Sequence, residues 1–275
     1  MDIAIIGLGA FGKWLAKQYL RQGFKIKVYD VDSRKIEELK SSIVTGCRDL
    51  EEAVENVDII IVAVPIDVAS KVIEDVSKYM ASGILVDVSS LKKPVYGIMK
   101  SLQENLKPIC IHPLFGPTAS GFKDEKIALI PVRDSLEERR IVENLMPGAE
   151  IIEVTVEEHD NAMVYILSLT HLLSIAITNI LKDVKDEKII EKLSGTSFKH
   201  MCRMLYATLT ESPDTFTSIL YYNSSTKRLS LNLLRQFNEI AQTISREDYI
   251  DLKRLVEEKL EIYSKLDFLR KIASL

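Results

Sequence analysis

The sequence predicts an α/β protein with a doubly wound, mainly parallel sheet, followed by an all-helical domain. In the first half of the chain, short runs rich in isoleucine and valine alternate with segments of helical spacing. That order is typical of a parallel sheet with helices on both faces. Beyond Thr155, glycine and proline become rare and helical patterns cover nearly all of the remainder. We therefore predict one domain over residues 1–155 and a second over residues 156–275.

The composition argues against several kinds of function. The 275 residues carry a net charge of −4, so there is no basic excess for binding nucleic acid or a membrane surface. Three cysteines lie far apart without a CxxC pair, and no cluster has the spacing of a metal site. Free thiols of this kind are typical of the reducing cytoplasm. The N-terminus begins directly with a strand pattern, and we expect no signal peptide.

A glycine-rich turn follows the first predicted strand, Asp2–Ile6, and leads into a helix. Asp30 ends the second predicted strand roughly 20 residues further on, which is the context required of a dinucleotide-binding fingerprint. The glycines let the turn close and the backbone approach a pyrophosphate, while the helix supplies amide donors. The alternative is a glycine turn in some other βαβ unit. The predicted cofactor-binding residues of the turn are Gly7, Leu8, Gly9, Ala10, Phe11 and Gly12.

Two further positions are expected to contact the cofactor. Asp30 would accept hydrogen bonds from the ribose hydroxyls of the adenosine and repel a 2′-phosphate, which favours NAD over NADP. Arg34 lies close by and weakens that exclusion, so NADP stays the alternative. The fourth predicted strand ends at Val64 and Pro65, and we expect this junction to line the cleft near the nicotinamide. Its alternative is a plain helix start, where proline is favoured.

The other elements are predicted from the spacing of apolar residues. In the first domain we predict helices over 13–21, 33–42, 50–57, 67–79, 94–106 and 134–143, and strands over 25–29, 43–44, 58–64, 84–88, 108–111, 127–132 and 151–156. In the second domain we predict helices over 159–182, 187–193, 197–209, 213–244 and 247–272. Gly23 ends the first helix, and Pro94 and Pro213 stand at helix starts.

The helical half is expected to pair with a second copy. Residues 162–181 are long and apolar enough for a membrane span, but several polar side chains would face lipid at a cost. We interpret this segment as a helix buried on most sides, in a domain or subunit interface. Apolar stripes on about 120 residues of helix are best buried by a partner chain, so we predict a homodimer. The alternative is a monomer whose helices pack on the sheet domain.

A histidine follows the strand predicted over 108–111. His112 begins a loop that contains Pro113 and Pro117, and the two prolines should stop regular structure. Ligands bind at this edge of open α/β sheets, and an imidazole exchanges a proton near neutral pH. We therefore predict a catalytic role for His112, with a purely structural histidine as the alternative.

Together with the glycine turn, three motifs resemble the prephenate dehydrogenase (TyrA) family of tyrosine biosynthesis. They are the stretch Val86–Lys92, the loop His112–Pro117, and Glu158-His159-Asp160-Asn161 leading to Leu169-Thr170-His171. The likeness runs over nearly the whole chain. It implies a Rossmann-type domain, a helical dimerisation and substrate domain, and NAD-dependent oxidative decarboxylation of prephenate to 4-hydroxyphenylpyruvate.

The resemblance also implies roles for individual residues. His112 would accept the proton of the ring 4-hydroxyl while hydride leaves C4, and Ser90 would orient His112 and touch that hydroxyl. For Ser90 the alternative is a helix cap. The expected substrate-binding residues are Lys92, Thr118, Ser120 and His171. For Lys92 the alternative is a solvated charge, and for His171 it is a core histidine. His159 and His200 are interpreted as structural.

One position departs from the family pattern. Ala207 stands where the family usually has an arginine that pairs with a substrate carboxylate, a role suited to the planar guanidinium. Arg203 lies one helical turn earlier and is our candidate replacement. The departure leaves prephenate and its amino analogue arogenate open as substrates.

Two other functions compete with this interpretation. One is another Rossmann dehydrogenase with a helical dimer domain, of the 3-hydroxyacid or imine type, in which the histidine loop would have no role. The other is a protein without enzymatic activity, either an NAD-sensing regulator or an inactive paralogue. Ala207 alone favours that last reading, and His112 with Ser90 argues against it.

Overall fold

The computed structural model describes residues 2–39 and 44–273. Its strands are β1 Asp2–Ile6, β2 Lys25–Tyr29, β3 Val44–Gly46, β4 Ile59–Val62, β5 Gly83–Asp87, β6 Leu106–Pro113, β7 Lys126–Ile130 and β8 Glu150–Glu153. They form one sheet in the order β3-β2-β1-β4-β5-β6-β7-β8. The six strands from β3 to β6 in that order run parallel, β7 is antiparallel to β6, and β8 is parallel to β7. The predicted mainly parallel, doubly wound sheet is confirmed.

Helices cover both faces of this sheet. Those of the first half are α1 Ala10–Arg21, α2 Ser33–Glu37, α3 Leu50–Val54, α4 Ile66–Tyr79, α5 Lys93–Ser101 and α6 Ser135–Leu145. On one face α1, α2 and α6 bury apolar side chains against the strands, and on the other face α3, α4 and α5 do so. The carboxyl ends of β1, β4, β5 and β6 therefore lie along one edge of the sheet, where the glycine turn and the histidine were predicted.

The strand that carries His112 is longer than predicted. β6 continues through His112 and Pro113, which pair with Ala128 and Ile127 of β7, whereas its pairing with β5 ends at Cys110. The prediction that regular structure stops before His112 was therefore wrong. Proline is tolerated at this point because β5 has already ended and one side of the strand is free of ladder partners.

The long apolar segment after the sheet is interrupted. It comprises α7 Val156–Met163, a π-helical turn Val164–Ser168 and α8 Leu169–Leu181. By length and composition alone, Val156–Leu181 is a candidate membrane span within the described residues, and only 22% of its most apolar window is buried. The prediction of a helix buried on most sides is thus not met within one chain. A soluble helix whose apolar side is covered by a second subunit has the same composition.

Three more helices complete the larger of two compact units, Met1–Thr226. They are α9 Glu187–Leu193, α10 Thr196–Leu209 and α11 Pro213–Tyr222. The predicted boundary at 155/156 falls inside this unit because α7 packs on α5 and α11 packs on α4. The smaller unit, Lys227–Leu275, contains most of α12 Thr226–Ser245, together with α13 Tyr249–Ser264 and α14 Asp267–Ala273.

Some helix predictions differ from the structure at their ends. The helix predicted over 213–244 is two helices, separated at Asn223, whose carboxamide accepts from the amide of Ser225 and donates to the carbonyl of Asp160. The helix predicted over 33–42 begins at Ser33 and is α2, which ends at Glu37. Residues 40–43, which include the predicted start of the third strand, lie outside the described residues.

Candidate active site

The glycine turn joins β1 to α1 in a conformation that demands glycine at two positions. Gly7 has φ of +98°, and a Cβ there would lie 2.4 Å from the carbonyl oxygen of Ala63. A Cβ on Gly12 would lie 1.9 Å from the carbonyl oxygen of Gly7. Gly9, by contrast, has no atom within 4 Å of such a Cβ. The turn is therefore tightly packed at Gly7 and Gly12 and open at Gly9, which precedes the N-terminus of α1. At such a helix N-terminus an anionic ligand is stabilised by amide donors and the helix dipole.

Asp30 lies next to this turn at the end of β2. Its Oδ2 accepts a hydrogen bond from the Leu8 amide at 2.7 Å, and its Oδ1 accepts from the Asp32 amide at 2.8 Å. The ammonium of Lys35 lies 3.2 Å from Oδ1. A carboxylate oxygen can accept more than one hydrogen bond, so the side chain keeps acceptor capacity for a ribose. Asp32, rather than Asp30, caps α2.

The junction after β4 also reaches the glycine turn. A methyl group on Gly7 would lie 2.8 Å from Cγ1 of Val64, so the Val64 side chain packs directly against the turn. Pro65 is exposed at the N-cap position of α4. The structure therefore brings Val64 to the predicted cofactor residues, and Pro65 also begins a helix, as its alternative interpretation held.

An aromatic cluster connects the glycine turn with the loop that follows His112. Phe11 stacks on Trp14 with ring centroids 5.4 Å apart, and Phe115 packs edge-on against both rings. The same loop carries Thr118 and Ser120, both exposed to solvent. Two segments distant in sequence thus lie side by side at the carboxyl edge of the sheet.

His112 is buried, with 5% of its surface exposed, and is held by a second histidine. Its Nδ1 lies 2.9 Å from Nε2 of His159, and Nδ1 of His159 lies 2.7 Å from Oδ1 of Asp160. The Asp160 carboxylate also accepts hydrogen bonds from the backbone amides of Lys92 and Lys93, both at 2.9 Å. Three side chains and the start of α5 therefore form one continuous network.

The other ring nitrogen of His112, Nε2, is available to accept a proton. Nε2 forms no hydrogen bond with any described residue, and it is not among their fully buried unpaired atoms, so it is accessible. Burial lowers the pKa of His112 well below its ordinary value, and neighbouring His159 and Lys92 act in the same direction. The imidazole is consequently neutral at physiological pH, the state in which it can accept a proton.

Lys92 does not occupy the place expected of a substrate ligand. Its side chain is fully buried, and Nζ donates to Asp87 Oδ2 at 2.6 Å and to the carbonyl of Ile111 at 2.5 Å. Asp87 also accepts from the amide and hydroxyl of Ser89. The ammonium thus braces the strand residue that precedes His112, and in this structure it does not reach the cleft.

Ser90 likewise differs from its expected contact. It lies half-buried in the loop after β5, and its hydroxyl forms no hydrogen bond within the described part of the chain. The residue that bonds to Nδ1 of His112 is instead His159. His159 and Asp160 are therefore functional candidates that the sequence interpretation missed. Their motif was visible, but their contact with a strand 47 positions away was not.

Among the described residues, the predicted helical site residues His171 and Arg203 form no hydrogen bond with each other or with the His112 network. His171 is buried; its Nδ1 donates to the Leu167 carbonyl, and its Nε2 lies 3.2 Å from the Glu211 carboxylate. Phe216 packs against the same ring. Arg203 is exposed on α10 and has no hydrogen bond or ion pair with a described residue. The position of His171 also fits the alternative of a satisfied core histidine.

Two family models match most of the chain. The model described as Prephenate dehydrogenase, nucleotide-binding domain, matches residues 15–138, and the one described as Prephenate dehydrogenase, dimerization domain, matches residues 155–258. The chain belongs to the prephenate dehydrogenase family. The first matched region contains His112 and Lys92, and the second contains His159, Asp160 and His171. The network around His112 thus combines residues from both matched domains of the prephenate dehydrogenase family.

Individual relatives agree with that assignment. A probable arogenate/prephenate dehydrogenase of Methanocaldococcus jannaschii is 27% identical over 94% of this chain and 60% of its own length. A prephenate dehydrogenase of Lactococcus lactis subsp. cremoris is 24% identical over 94% of this chain and 76% of its own length. The chain thus spans about three fifths of the first relative. The crystal structure of an Aquifex aeolicus prephenate dehydrogenase, in complex with hydroxyphenyl propionate and NAD+, has a TM-score of 0.72 at 20% identity and covers 97% of this chain and 98% of that one. At that identity the likeness shows the fold.

Proposed function

We propose that this protein catalyses the NAD-dependent oxidative decarboxylation of prephenate to 4-hydroxyphenylpyruvate. The observation that carries the proposal is His112: a buried, neutral imidazole with an accessible Nε2, at the same sheet edge as the glycine turn. Membership of the prephenate dehydrogenase family supports the reaction class. The enzyme is proposed to act as a soluble cytoplasmic protein.

The residues of the glycine turn fit a dinucleotide. Gly7 and Gly12 close the turn, Gly9 leaves its tip open to a pyrophosphate, and Asp30 offers oxygen acceptors to ribose hydroxyls. A 2′-phosphate would meet the Asp30 carboxylate, which favours NAD. The Lys35 ammonium, 3.2 Å from that carboxylate, would attract such a phosphate, so NADP stays the alternative. When bound, NAD supplies the acceptor for the hydride.

His112 would move one proton during the reaction. Its Nε2 accepts the proton of the 4-hydroxyl as the C4–H bond breaks and the C–O bond becomes a carbonyl. The ring carboxylate then leaves as carbon dioxide and its electron pair completes the aromatic ring. The imidazolium returns its proton to the phenolate oxygen, so the histidine ends neutral and the protons balance. Thr118 and Ser120, exposed on the adjoining loop, are proposed to bind the substrate.

The carboxylate of the substrate side chain needs a cationic partner. Arg203 is exposed and free of ion pairs with the described residues, and it is proposed for this role. One observation favours arogenate as a second candidate substrate. The Glu211 carboxylate beside His171 would pair with an amino group, which arogenate has and prephenate lacks.

The protein is also proposed to be a homodimer through its helical half. Large apolar side chains are exposed along the π-helical turn and α8, where a second subunit would cover them. They are Tyr165, Ile166, Ile175 and Ile180. The matched dimerization-domain model covers this segment.

Incubation with NAD and each candidate substrate tests the proposal. The absorbance of reduced cofactor should appear with prephenate or arogenate, and the better kcat/KM identifies the substrate. Signal only with a 3-hydroxyacid would replace the proposal by the competing dehydrogenase class. Cofactor binding by calorimetry, without turnover of any of these substrates, would instead indicate a cofactor-sensing protein.

A further inference from the structure

We propose that His159 and Asp160 are positioning residues that hold His112 in the one tautomer able to act as a base. This inference rests on the proposed dehydrogenase function and assigns a role to two residues that touch neither substrate nor cofactor in it. Both lie in the first turns of α7, whose start is fixed by a capping box between Thr155 and Glu158. The box sets where the two side chains point.

The direction of each hydrogen bond follows from the Asp160 carboxylate, at which the network ends. An ionised carboxylate only accepts hydrogen bonds, so the proton between Asp160 and His159 belongs to Nδ1 of His159. Nε2 of a neutral His159 then carries a lone pair, 2.9 Å from Nδ1 of His112. Two lone pairs cannot face each other at that distance, so Nδ1 of His112 carries the hydrogen. Its Nε2 is left with the lone pair that a base requires.

Asp160 is held in its ionised form by its surroundings. Burial raises the pKa of Asp160, but hydrogen bonds from His159 and from the amides of Lys92 and Lys93 outweigh burial and lower it overall. Those two amides are at the start of α5, where the helix dipole also favours a negative charge. The anchor of the network is therefore a fixed acceptor.

The buried ammonium next to the network, that of Lys92, is already paired. The Lys92 ammonium is bonded to Asp87 and to the carbonyl of Ile111. Lys92 thus touches the network at both ends, through its backbone amide at Asp160 and through its side chain at the residue before His112. When His112 takes up a proton, its Nδ1–H bond to His159 becomes charge-assisted and strengthens. Burial, His159 and Lys92 still lower the pKa of His112 overall, so in the free protein the network fixes the tautomer of a neutral imidazole.

The tautomers can be read directly in the free protein. The chain has four histidines, so long-range 1H–15N correlation spectra of histidine-labelled protein can be assigned with His112→Asn and His159→Gln variants. At pH 8 we expect a protonated Nδ1 and a bare Nε2 on both His112 and His159. A proton on Nε2 of His112 would overturn the proposal. No substrate is needed, so this result stands whether or not the proposed function does.

The kinetics of two variants test the same point through turnover. Asp160→Asn should lower kcat roughly 10- to 100-fold, within the contribution of a well-placed general base, while KM for NAD stays unchanged. Glu157→Gln removes the same charge from the same helix without touching the network and should behave as wild type. Equal kcat in Asp160→Asn and Glu157→Gln would overturn the role of Asp160.

The order of two His159 variants separates positioning from packing. His159→Gln keeps an oxygen acceptor for Nδ1 of His112, whereas His159→Leu fills the space without one. If His159 positions His112, the kcat of His159→Gln should be at least several-fold higher than that of His159→Leu. The acid limb of the pH profile of His159→Gln should also lie closer to that of the wild type. Equal or reversed kcat, with both variants folded by circular dichroism, would leave His159 a merely structural residue. If the wild-type protein is inactive on both prephenate and arogenate, that result contradicts the proposed function and not the positioning role of His159.

Discussion

The indole Nε1 of Trp14 donates a hydrogen bond to the backbone carbonyl of Ala119 at 2.8 Å. Trp14 lies on α1, directly after the glycine turn, and Ala119 lies between Thr118 and Ser120 on the loop after His112. The contact therefore ties the predicted cofactor helix to the predicted substrate loop.

Replacement of Trp14 by Phe should therefore weaken the fold and loosen the loop. The variant loses one hydrogen bond and part of a packed ring, and we expect the free energy of unfolding to fall by about 1–2 kcal/mol. Urea titration followed by circular dichroism measures it, since Trp14 is the chain's single tryptophan. Tyr79→Phe, at a half-exposed ring, is the control and should change little. An unchanged unfolding midpoint in Trp14→Phe would show that the contact is not stabilising.

The buried ion pair between Lys92 and Asp87 should be costly to break. Lys92→Met leaves the Asp87 carboxylate fully buried with its charged partner removed, which costs roughly 3–5 kcal/mol of stability. Lys93→Met is the matched control because that neighbouring side chain is exposed. Combining Lys92→Met with Asp87→Leu should recover much of the loss, since neither charge then remains. Equal urea midpoints for Lys92→Met and Lys93→Met would contradict the prediction.

Lys92 also shows where sequence reasoning reached its limit. The pattern of alternating strands and helices, the glycine turn and Asp30 are local signals, and each predicted its place correctly in the fold. The direction of the Lys92 side chain depends instead on a buried carboxylate five residues earlier and a carbonyl on the next strand. Only the folded sheet brings these groups together.

The histidine pair illustrates the same limit at longer range. His112 could be singled out because a strand, a histidine and two prolines are adjacent in the chain. His159 lies on a helix 47 residues later, and nothing in its neighbourhood indicates which strand end it faces. The extension of β6 through Pro113 was missed for a related reason. The expectation that proline ends a strand takes no account of the neighbouring strand, and β5 has already ended at this point.

Activity should persist to a lower pH than an ordinary histidine allows. The base must be neutral, and the pKa of His112 is lowered well below its ordinary 6.5 by burial first and then by His159 and Lys92. The acid limb of the kcat/KM profile should therefore have its midpoint below pH 6.5. A midpoint at or above 6.5 in the wild-type protein would contradict this environment.

The same group links stability to pH. Because the unfolded chain takes up this proton near pH 6.5 and the folded protein does so only at lower pH, the unfolded state binds more protons between those values. The contribution of His112 to the free energy of unfolding is thus full above pH 6.5 and is lost as pH falls. Wild-type protein should lose more stability than His112→Asn between pH 7 and pH 5, measured by urea titration. Parallel losses would show that His112 is not the group responsible.

Replacement of His112 by Asn should separate chemistry from cofactor binding. Asn cannot accept the hydroxyl proton, and we expect kcat to fall roughly 10²- to 10⁴-fold, the usual contribution of a general base. The glycine turn and Asp30 are untouched, so the Kd for NAD measured by calorimetry should match that of the wild type. His200→Asn, an exposed histidine on α10, is the control. Unchanged turnover in His112→Asn would remove this residue as the base.

The exposed apolar residues of α8 should determine the oligomeric state. Ile180 is 70% exposed in one chain, so Ile180→Lys costs an isolated chain almost nothing, whereas in a dimer interface it buries a charge. Sedimentation should give twice the 31.1 kDa of one chain for the wild type and a concentration-dependent shift toward one chain for the variant. Lys182→Ala, at the C-cap of the same helix, removes a charge instead of adding one and should keep the wild-type mass. A wild-type protein that sediments as a single chain at all concentrations would refute the homodimer.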